Sequence, residues 1–262
     1  DKDKEVRATA ARVLGEIAQG DARVIEALMR ILGDVGFYVR TQAAASLGKI
    51  ALTDNKVFEA LVGMLENKDC NIRAAAAYAL GEIMQGDARA IKALVTKLVD
   101  KDRKVRAAAT GALGKIAQGD VRVIEALVTK LVDKDRKVRA AAAYALGEIA
   151  QGDVRAIEAL VTKLVDEDWK EWEVCAAATK VLGKVASGGD VRVIDALVVV
   201  LNRGYPRVTY VAAHALGKIA HNNTRAINAL LDALRYGEEY TRCNAASALG
   251  EIALLGDTRV IE

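Results

Sequence analysis

The chain has 262 residues, of which 52% are hydrophobic, 28% charged and only 4% aromatic. Small aliphatic residues must therefore form the core, which favours packed helices over a β-sandwich and excludes collagen-like and disordered chains. The 38 basic residues nearly balance the 35 acidic ones, so the net charge of +3 favours neither nucleic acid nor an acidic membrane surface as a partner.

The lengths of the apolar runs and the spacing of the cysteines indicate in which cellular compartment the protein works. Each apolar run is only a few residues long, whereas a membrane-spanning helix needs about 20 apolar residues. Cys70, Cys175 and Cys243 are odd in number and widely spaced, which fits neither a disulfide framework nor a metal site. We therefore expect a cytoplasmic protein that has no membrane contact, binds no metal and needs no cofactor.

A Leu-Gly-(Glu or Lys)-(Ile or Val) tetrad recurs along the whole sequence with a period close to 33 residues. Its glycines are Gly15, Gly48, Gly81, Gly114, Gly147, Gly183, Gly217 and Gly250. Such a period is typical of repeat proteins, in which a unit of two short helices buries its apolar faces only against its neighbours. The sequence therefore predicts an all-α fold, an α-solenoid of about eight helical hairpins, as a single continuous array over residues 1–262.

Residues 120–152 show how one unit is built. Asp120 is placed to cap a first helix, which the apolar spacing extends to about Val132. Asp135 is placed to cap a second helix, which ends near Gly152, a residue suited to a left-handed conformation. The apolar stripe of the second helix consists of Val138, Ala142, Ala145, Leu146 and Ile149.

The tetrad glycine falls inside the second helix of each unit. Glycine costs up to about 1 kcal/mol relative to alanine in a helix interior. Its recurrence in every unit predicts a close backbone approach between neighbouring units that a methyl group would prevent.

The segment VRAAAAYALGEI (138–149), preceded by DKD (133–135), resembles the second helix of the HEAT-like repeats of phycobilisome lyases. It is equally similar to the artificial alpha-helicoidal repeat proteins built from a consensus of such units. The resemblance covers essentially the whole chain and implies a ladder between loop aspartates and the arginine of each Val-Arg pair. These arginines are Arg7, Arg40, Arg73, Arg106, Arg139 and Arg242. Cys175 and Thr209 replace the arginine in units six and seven, where we expect the ladder to be interrupted.

The same two units are irregular in length. They carry a three-residue insertion around 169–171, a one-residue insertion around 187–189, and Pro206, the only proline. We expect a local change of superhelical curvature over 166–210, and sequence drift without purpose is the alternative.

Function has to reside on exposed positions that vary from unit to unit. Seven of the eleven aromatic residues occupy such positions on the second helices, off the apolar stripe and, by the resemblance, on the concave face. They are Phe37, Tyr38, Tyr78, Tyr144, Trp172, Tyr210 and Tyr240. Tyrosine and tryptophan dominate interface energetics, so this pattern favours a partner-binding surface. The alternative is that the rings only pack against the stems of neighbouring side chains.

Charged residues on these helices also follow a pattern from one repeat to the next. The predicted partner-binding surface also includes His214 and a basic patch of Arg103, Lys104, Arg136 and Lys137. The residue after the tetrad glycine reads Glu16, Lys49, Glu82, Lys115, Glu148, Lys184, Lys218 and Glu251. The alternation over the first six units predicts ion pairs between neighbouring units, each worth about 0–1 kcal/mol.

Catalytic signals are weak. His214 and His221 are the only histidines, and neither precedes a glutamate, whereas HEAT-like hydroxylases bind iron through paired His-Glu dipeptides. We therefore expect no enzyme and no catalytic residues.

The leading hypothesis is a non-enzymatic scaffold that binds a protein or peptide on its concave face. The alternatives are a phycobilin lyase-like or chromophore-handling accessory subunit, implied only by the resemblance, and a nucleic-acid-binding solenoid. Neither end of the chain looks like a polar capping repeat. The chain is therefore expected to be a fragment of a longer array or to self-associate end to end.

Overall fold

The computed structural model describes residues 3–17, 21–83, 85–165, 172–185, 190–202, 206–219 and 223–254. These residues form helices and connecting turns, with no strand among them, which confirms the predicted all-α class. Fifteen helices lie within these described ranges: α1 (Lys4–Ile17), α2 (Ala22–Ile31), α3 (Phe37–Ala51), α4 (Asn55–Met64), α5 (Cys70–Leu80), α6 (Ala88–Lys97), α7 (Arg103–Ile116), α8 (Val121–Lys130), α9 (Arg136–Ile149), α10 (Val154–Val165), α11 (Trp172–Val185), α12 (Val191–Asn202), α13 (Pro206–Ile219), α14 (Thr224–Tyr236) and α15 (Glu239–Leu254).

The chain packs into two compact units, Asp1–Lys130 and Leu131–Glu262. In the first unit the odd-numbered helices α1, α3, α5 and α7 lie side by side, and each even-numbered helix from α2 to α6 packs on the odd helix that follows it. The second unit repeats this arrangement, with α9, α11, α13 and α15 in one layer and α10, α12 and α14 in the other. The odd-numbered helices are the predicted second helices of the repeats. The tetrad glycines lie within them, except that α5 ends at Leu80 and Gly81 is its C-cap.

The repeat over residues 120–152 has the predicted caps and turn, and it differs from the prediction only at the end of its first helix. The Asp120 carboxylate accepts from the backbone N–H of Arg122 at 3.0 Å, and Asp135 caps α9 in the same way. Gly152 has a φ of 75°. The expected extension of the first helix to Val132 is wrong, since α8 ends at Lys130 and Val132 is 76% exposed. The turn after Lys130 changes the direction of the chain, so the helical spacing no longer turns Val132 toward the core.

Six of the eight tetrad glycines show the close approach that the sequence predicts, whereas a methyl group on Gly250 would meet no described atom within 4 Å. A methyl group on Gly81 would lie 2.8 Å from the Ala112 Cα, and one on Gly183 would lie 2.7 Å from the Ala215 Cβ. These distances are shorter than real side chains tolerate, so each glycine lets the odd helix of the next repeat come close. Each of these glycines faces the residue that precedes the Leu-Gly pair of the next repeat. Gly15, Gly48, Gly81, Gly147, Gly183 and Gly217 face, in this order, Ser46, Ala79, Ala112, Val181, Ala215 and Ala248.

Two arginines of the first unit connect consecutive loops. The Arg73 guanidinium donates two hydrogen bonds of 2.9 Å to the Asp100 carboxylate, and its third nitrogen donates to the Asn67 carbonyl oxygen at 2.8 Å. Arg7 makes the same two-pronged contact with Asp34 at 2.7 and 3.1 Å. Burial raises the pKa of Asp100, but the hydrogen bonds from Arg73 and from the Asp102 backbone N–H, together with the charges of Arg73 and Lys97, hold that pKa below its ordinary value.

The arginine ladder has a gap that the sequence prediction missed. Arg40 donates to the Asp34 and Val35 carbonyl oxygens at 2.6 and 3.1 Å, within its own loop. Among the residues the structure describes it has no carboxylate partner, because Asn67 stands where Asp34 and Asp100 stand in the neighbouring repeats. In the second unit, Cys175 and Thr209 take two of the four arginine positions, and both side chains are buried. The insertions around 169–171 and 187–189 lie outside the described residues.

Candidate protein-binding surface

The sequence-predicted surface residues all lie on odd-numbered helices. Phe37, Tyr38, Arg103, Lys104, Arg136, Lys137, Tyr144, Trp172, Tyr210 and Tyr240 are exposed, whereas Tyr78 and His214 are half-buried. The first unit holds Phe37, Tyr38, Tyr78, Arg103 and Lys104, and the second unit holds the others. Each unit therefore presents its own aromatic and basic side chains, and their binding role stays a prediction.

In the first unit, the half-buried ring of Tyr78 has a neighbour within the chain. The Lys115 ammonium lies 4.7 Å from the centre of the Tyr78 ring and forms an ion pair with Glu82. The Tyr78 ring thus packs against a neighbouring side chain of the chain itself, which is the alternative to partner binding that the sequence left open. Phe37 remains 73% exposed, with the Arg40 guanidinium 5.9 Å from its ring centre.

In the second unit, Tyr144 and Trp172 line one open groove of about 430 Å³ between α9 and α11. The alanines Ala140, Ala141 and Ala176 also line it, and their small side chains leave the space between the two rings unfilled. The volume lies within the range of about 300–1,000 Å³ that is common for ligand sites. Tyr144 is 47% exposed and Trp172 is 38% exposed, so each ring is partly held by the protein and partly available to a partner.

Charged residues border the groove on both helices. Lys137 and Glu173 line it directly, and Glu173 forms an ion pair of 3.6 Å with Arg136. The Lys180 ammonium of α11 lies 6.0 Å from the centre of the Tyr144 ring. Sequence reasoning missed Lys180, although it occupies the same repeat position as Tyr144, three residues before the tetrad glycine.

The predicted charge alternation produces ion pairs at two places. Lys115 pairs with Glu82 in the first unit, and Lys184 pairs with Glu148 at 3.1 Å in the second. At the start of the chain Glu16 pairs instead with Arg12 of its own helix, at 2.7 Å.

A second aromatic pair lies further along the second unit. The rings of Tyr210 and His214 are stacked with their centres 6.3 Å apart, and the His214 Nδ1 lies 3.1 Å from a Glu251 carboxylate oxygen. Tyr240 is exposed on α15. Sequence reasoning did not single out Tyr236, which is 82% exposed, because it ends the even-numbered helix α14 rather than occupying a variable position of an odd one.

The described residues offer little for catalysis. No group of three His, Cys, Asp or Glu side chains among them could hold a metal ion. Burial and a hydrogen bond with Asp102 raise the pKa of the Cys70 thiol, which disfavours the thiolate that a nucleophile requires. His221 lies outside the described residues. Within the same described ranges, no helix is both long and apolar enough to cross a bilayer.

Comparisons with known proteins agree with this architecture. A family model described as HEAT repeats matches residues 1–81, 38–113, 59–136, 91–183 and 124–217. No curated protein sequence matches the chain. An engineered protein of known crystal structure is 31% identical over 97% of this chain and 76% of its own length, with a TM-score of 0.49.

Two further solved structures are more distant in sequence. YibA of E. coli is 20% identical over 96% of this chain and 87% of its own, with a TM-score of 0.70. Human deoxyhypusine hydroxylase is also 20% identical, over 95% of this chain and 98% of its own, but its TM-score is only 0.43. The likeness to YibA concerns the fold alone, and that to the hydroxylase carries no argument about chemistry. Because the family model covers most of its length, the chain belongs to the HEAT repeat family.

Proposed function

We propose that this protein is a non-enzymatic scaffold that binds a protein or peptide through the exposed face of its odd-numbered helices. The groove between α9 and α11 carries the proposal, because it places two half-exposed aromatic rings beside alanines that leave room for a partner's side chain. Aromatic residues in a pocket that a partner can desolvate are the common energetic centre of protein interfaces. A cytoplasmic setting is part of this proposal, because three widely spaced cysteines do not fit the disulfide framework of a secreted domain.

The test uses the full chain and a matched pair of double variants. Peptides selected from a displayed library against the wild-type chain are measured against Tyr144→Ala with Trp172→Ala. The control is Val154→Ala with Val191→Ala, which removes two side chains of similar exposure (53% and 58%) at the first positions of α10 and α12.

Loss of a hot-spot side chain costs about 2 kcal/mol or more, which is roughly a 30-fold loss of affinity. We expect a loss of that size for the Tyr144 and Trp172 variant and none for the control. Equal affinities for both variants would show that the groove is not the binding site. Circular dichroism of both variants checks that the helices are intact.

A nucleic-acid-binding solenoid is supported less well by the charges of these helices. Arg136 is paired with Glu173, and Lys104 donates a hydrogen bond to Asn71 at 3.0 Å, so part of the predicted basic patch is engaged within the chain. Backbone binding weakens steeply with salt, whereas an interface centred on aromatic rings does not. Affinity for the selected partner measured at low and moderate salt separates the two functions.

The resemblance to phycobilisome-lyase repeats supports a chromophore-handling subunit as the other alternative. A bound linear tetrapyrrole would change its absorbance spectrum in the presence of the chain. An unchanged spectrum after incubation would contradict this alternative and leave the scaffold proposal intact.

A further inference from the structure

Among the residues that the structure describes, the charges around the groove between α9 and α11 do not balance. Arg136 pairs with Glu173 and Lys184 pairs with Glu148, so these four charges are compensated within the chain. Lys137 and Lys180 are exposed, and among the described residues neither ammonium has a carboxylate partner. Within the described part of the chain, two cations without a carboxylate partner therefore lie at this site: Lys137 lines the groove, and Lys180 lies beside the Tyr144 ring.

The two cations lie at different heights along parallel helices. Contacts between α9 and α11 join residues near the start of both helices (Arg136 with Glu173) and near the end of both (Glu148 with Lys184). The helices therefore run in the same direction and in register. Counted from the tetrad glycines, Lys137 precedes Gly147 by ten residues and Lys180 precedes Gly183 by three.

This offset fixes the separation of the two cations. Seven residues of helix correspond to about 10 Å along the axis, and neighbouring helices lie about 10 Å apart. The two positions are thus separated by roughly 14 Å diagonally across the groove. In an extended peptide this is the span of about four residues, and residues i, i+2 and i+4 of such a peptide face the same side.

We propose that the groove binds an extended acidic peptide segment in which two carboxylates, four residues apart, flank a central apolar side chain. This inference rests on the proposed scaffold function and names the chemistry of its partner. The central side chain enters between Tyr144 and Trp172, and the carboxylates meet Lys137 and Lys180. A nucleic-acid strand is the other anionic occupant that these two lysines could attract, and the test below treats it as a separate outcome.

The test measures binding of fluorescent peptides to the full chain by anisotropy. The probe contains the core Glu-Ala-Phe-Ala-Glu, and the comparison peptides contain Lys-Ala-Phe-Ala-Lys and Glu-Ala-Ala-Ala-Glu. A short oligothymidine serves as the nucleic-acid probe. We expect the first peptide to bind roughly tenfold or more tightly than each of the other three probes.

A charge-reversal variant, Lys137→Glu with Lys180→Glu, should invert the preference between the two Phe-containing peptides. The control variant, Lys56→Glu with Lys92→Glu, makes the same change of net charge on the even-numbered helices α4 and α6 and should leave the preference unchanged.

Three outcomes overturn the inference: equal binding of acidic and basic peptides, tighter binding of oligothymidine, or no binding of the acidic peptide at millimolar concentration. In each case the scaffold proposal is judged separately, by whether library-selected partners lose affinity in the Tyr144→Ala and Trp172→Ala variant.

Discussion

Replacement of Gly48 by alanine tests the packing principle of the fold. The glycine is fully within α3, and an added methyl group would overlap the Ala79 carbonyl oxygen and lie 2.7 Å from the Glu82 Cβ. A backbone carbonyl cannot rotate away as a side chain can, so α3 and α5 would have to move apart by about 0.5–1 Å. A gap of that size loses a quarter to a half of the dispersion energy of the affected contacts.

The net effect follows from two opposing contributions. Overpacking of a tight interface costs about 1–3 kcal/mol, and the rigid obstacle places this case at the upper end. Alanine gains up to about 1 kcal/mol over glycine in helix propensity. We therefore expect Gly48→Ala to lower the free energy of unfolding by about 2 kcal/mol.

The matched control is Gly111→Ala in the interior of α7. A methyl group there would meet no heavy atom of the described chain within 4 Å, so only the gain in helix propensity remains. This variant should be more stable than wild type by about 0.5–1 kcal/mol. Urea unfolding followed by circular dichroism measures both variants. With a slope of about 3 kcal/mol per molar urea, the Gly48 variant should unfold at a midpoint about 0.7 M lower. If Gly48→Ala proved as stable as Gly111→Ala, the close approach would not be the reason for the recurring glycine.

Three further predictions concern single contacts, each measured by urea unfolding. Gly147→Ala places a methyl group 2.6 Å from the Val181 Cγ2 and should lower the free energy of unfolding. Adding Val181→Ala should recover part of that loss, whereas free-energy changes of the two substitutions that simply add up would contradict this contact. Asp100→Asn should cost about 1.5–3 kcal/mol near neutral pH, because it leaves the buried Arg73 guanidinium without its charged partner. The pKa of Asp100 is lower in the folded than in the unfolded state, so its stabilisation is complete above the unfolded-state pKa near 4 and is lost as the pH falls through the lower folded-state value. The free energy of unfolding of the variant should therefore fall less steeply in acid than that of the wild type. Asp87→Ala removes the acceptor for two backbone N–H groups at the start of α6 and should cost about 1 kcal/mol, whereas an unchanged midpoint would show that water replaces the cap.

Local structure was predictable from the sequence because each signal depends on near neighbours. The caps at Asp120 and Asp135 and the left-handed Gly152 follow from residue type and spacing, and all three are observed. Val132 shows the limit of this reasoning, since apolar spacing alone does not reveal that the helix has ended two residues earlier. Among the described residues, Arg40 lacks a carboxylate partner because residue 67 is an asparagine. The sequence shows Asn67, but the offset of 27 residues between an arginine and its aspartate became known only from the Arg7 and Arg73 contacts.

The candidate site was predictable only in part. Variation among repeats identified Tyr144, Trp172 and Lys137 as surface residues, but it could not show that they line one groove. That grouping depends on how closely α9 and α11 approach and on the small size of the alanines between the rings. Lys180 was overlooked because its importance comes from its distance to the Tyr144 ring, not from its residue type.

The repeat, the pairing of helices within it and the glycine at the packing surface follow from the order of the residues, because a fixed period encodes the same local contacts in each repeat. Which exposed side chains come together, and which charges are already paired within the chain, becomes visible only in the folded structure. Those contacts join residues some 30 or more positions apart, and whether they form depends on differences of one or two ångströms between neighbouring helices. The repeated pattern does not encode such differences. In the described part of the chain they leave Lys137, which lines the groove, and Lys180, which lies beside the Tyr144 ring, without a carboxylate partner.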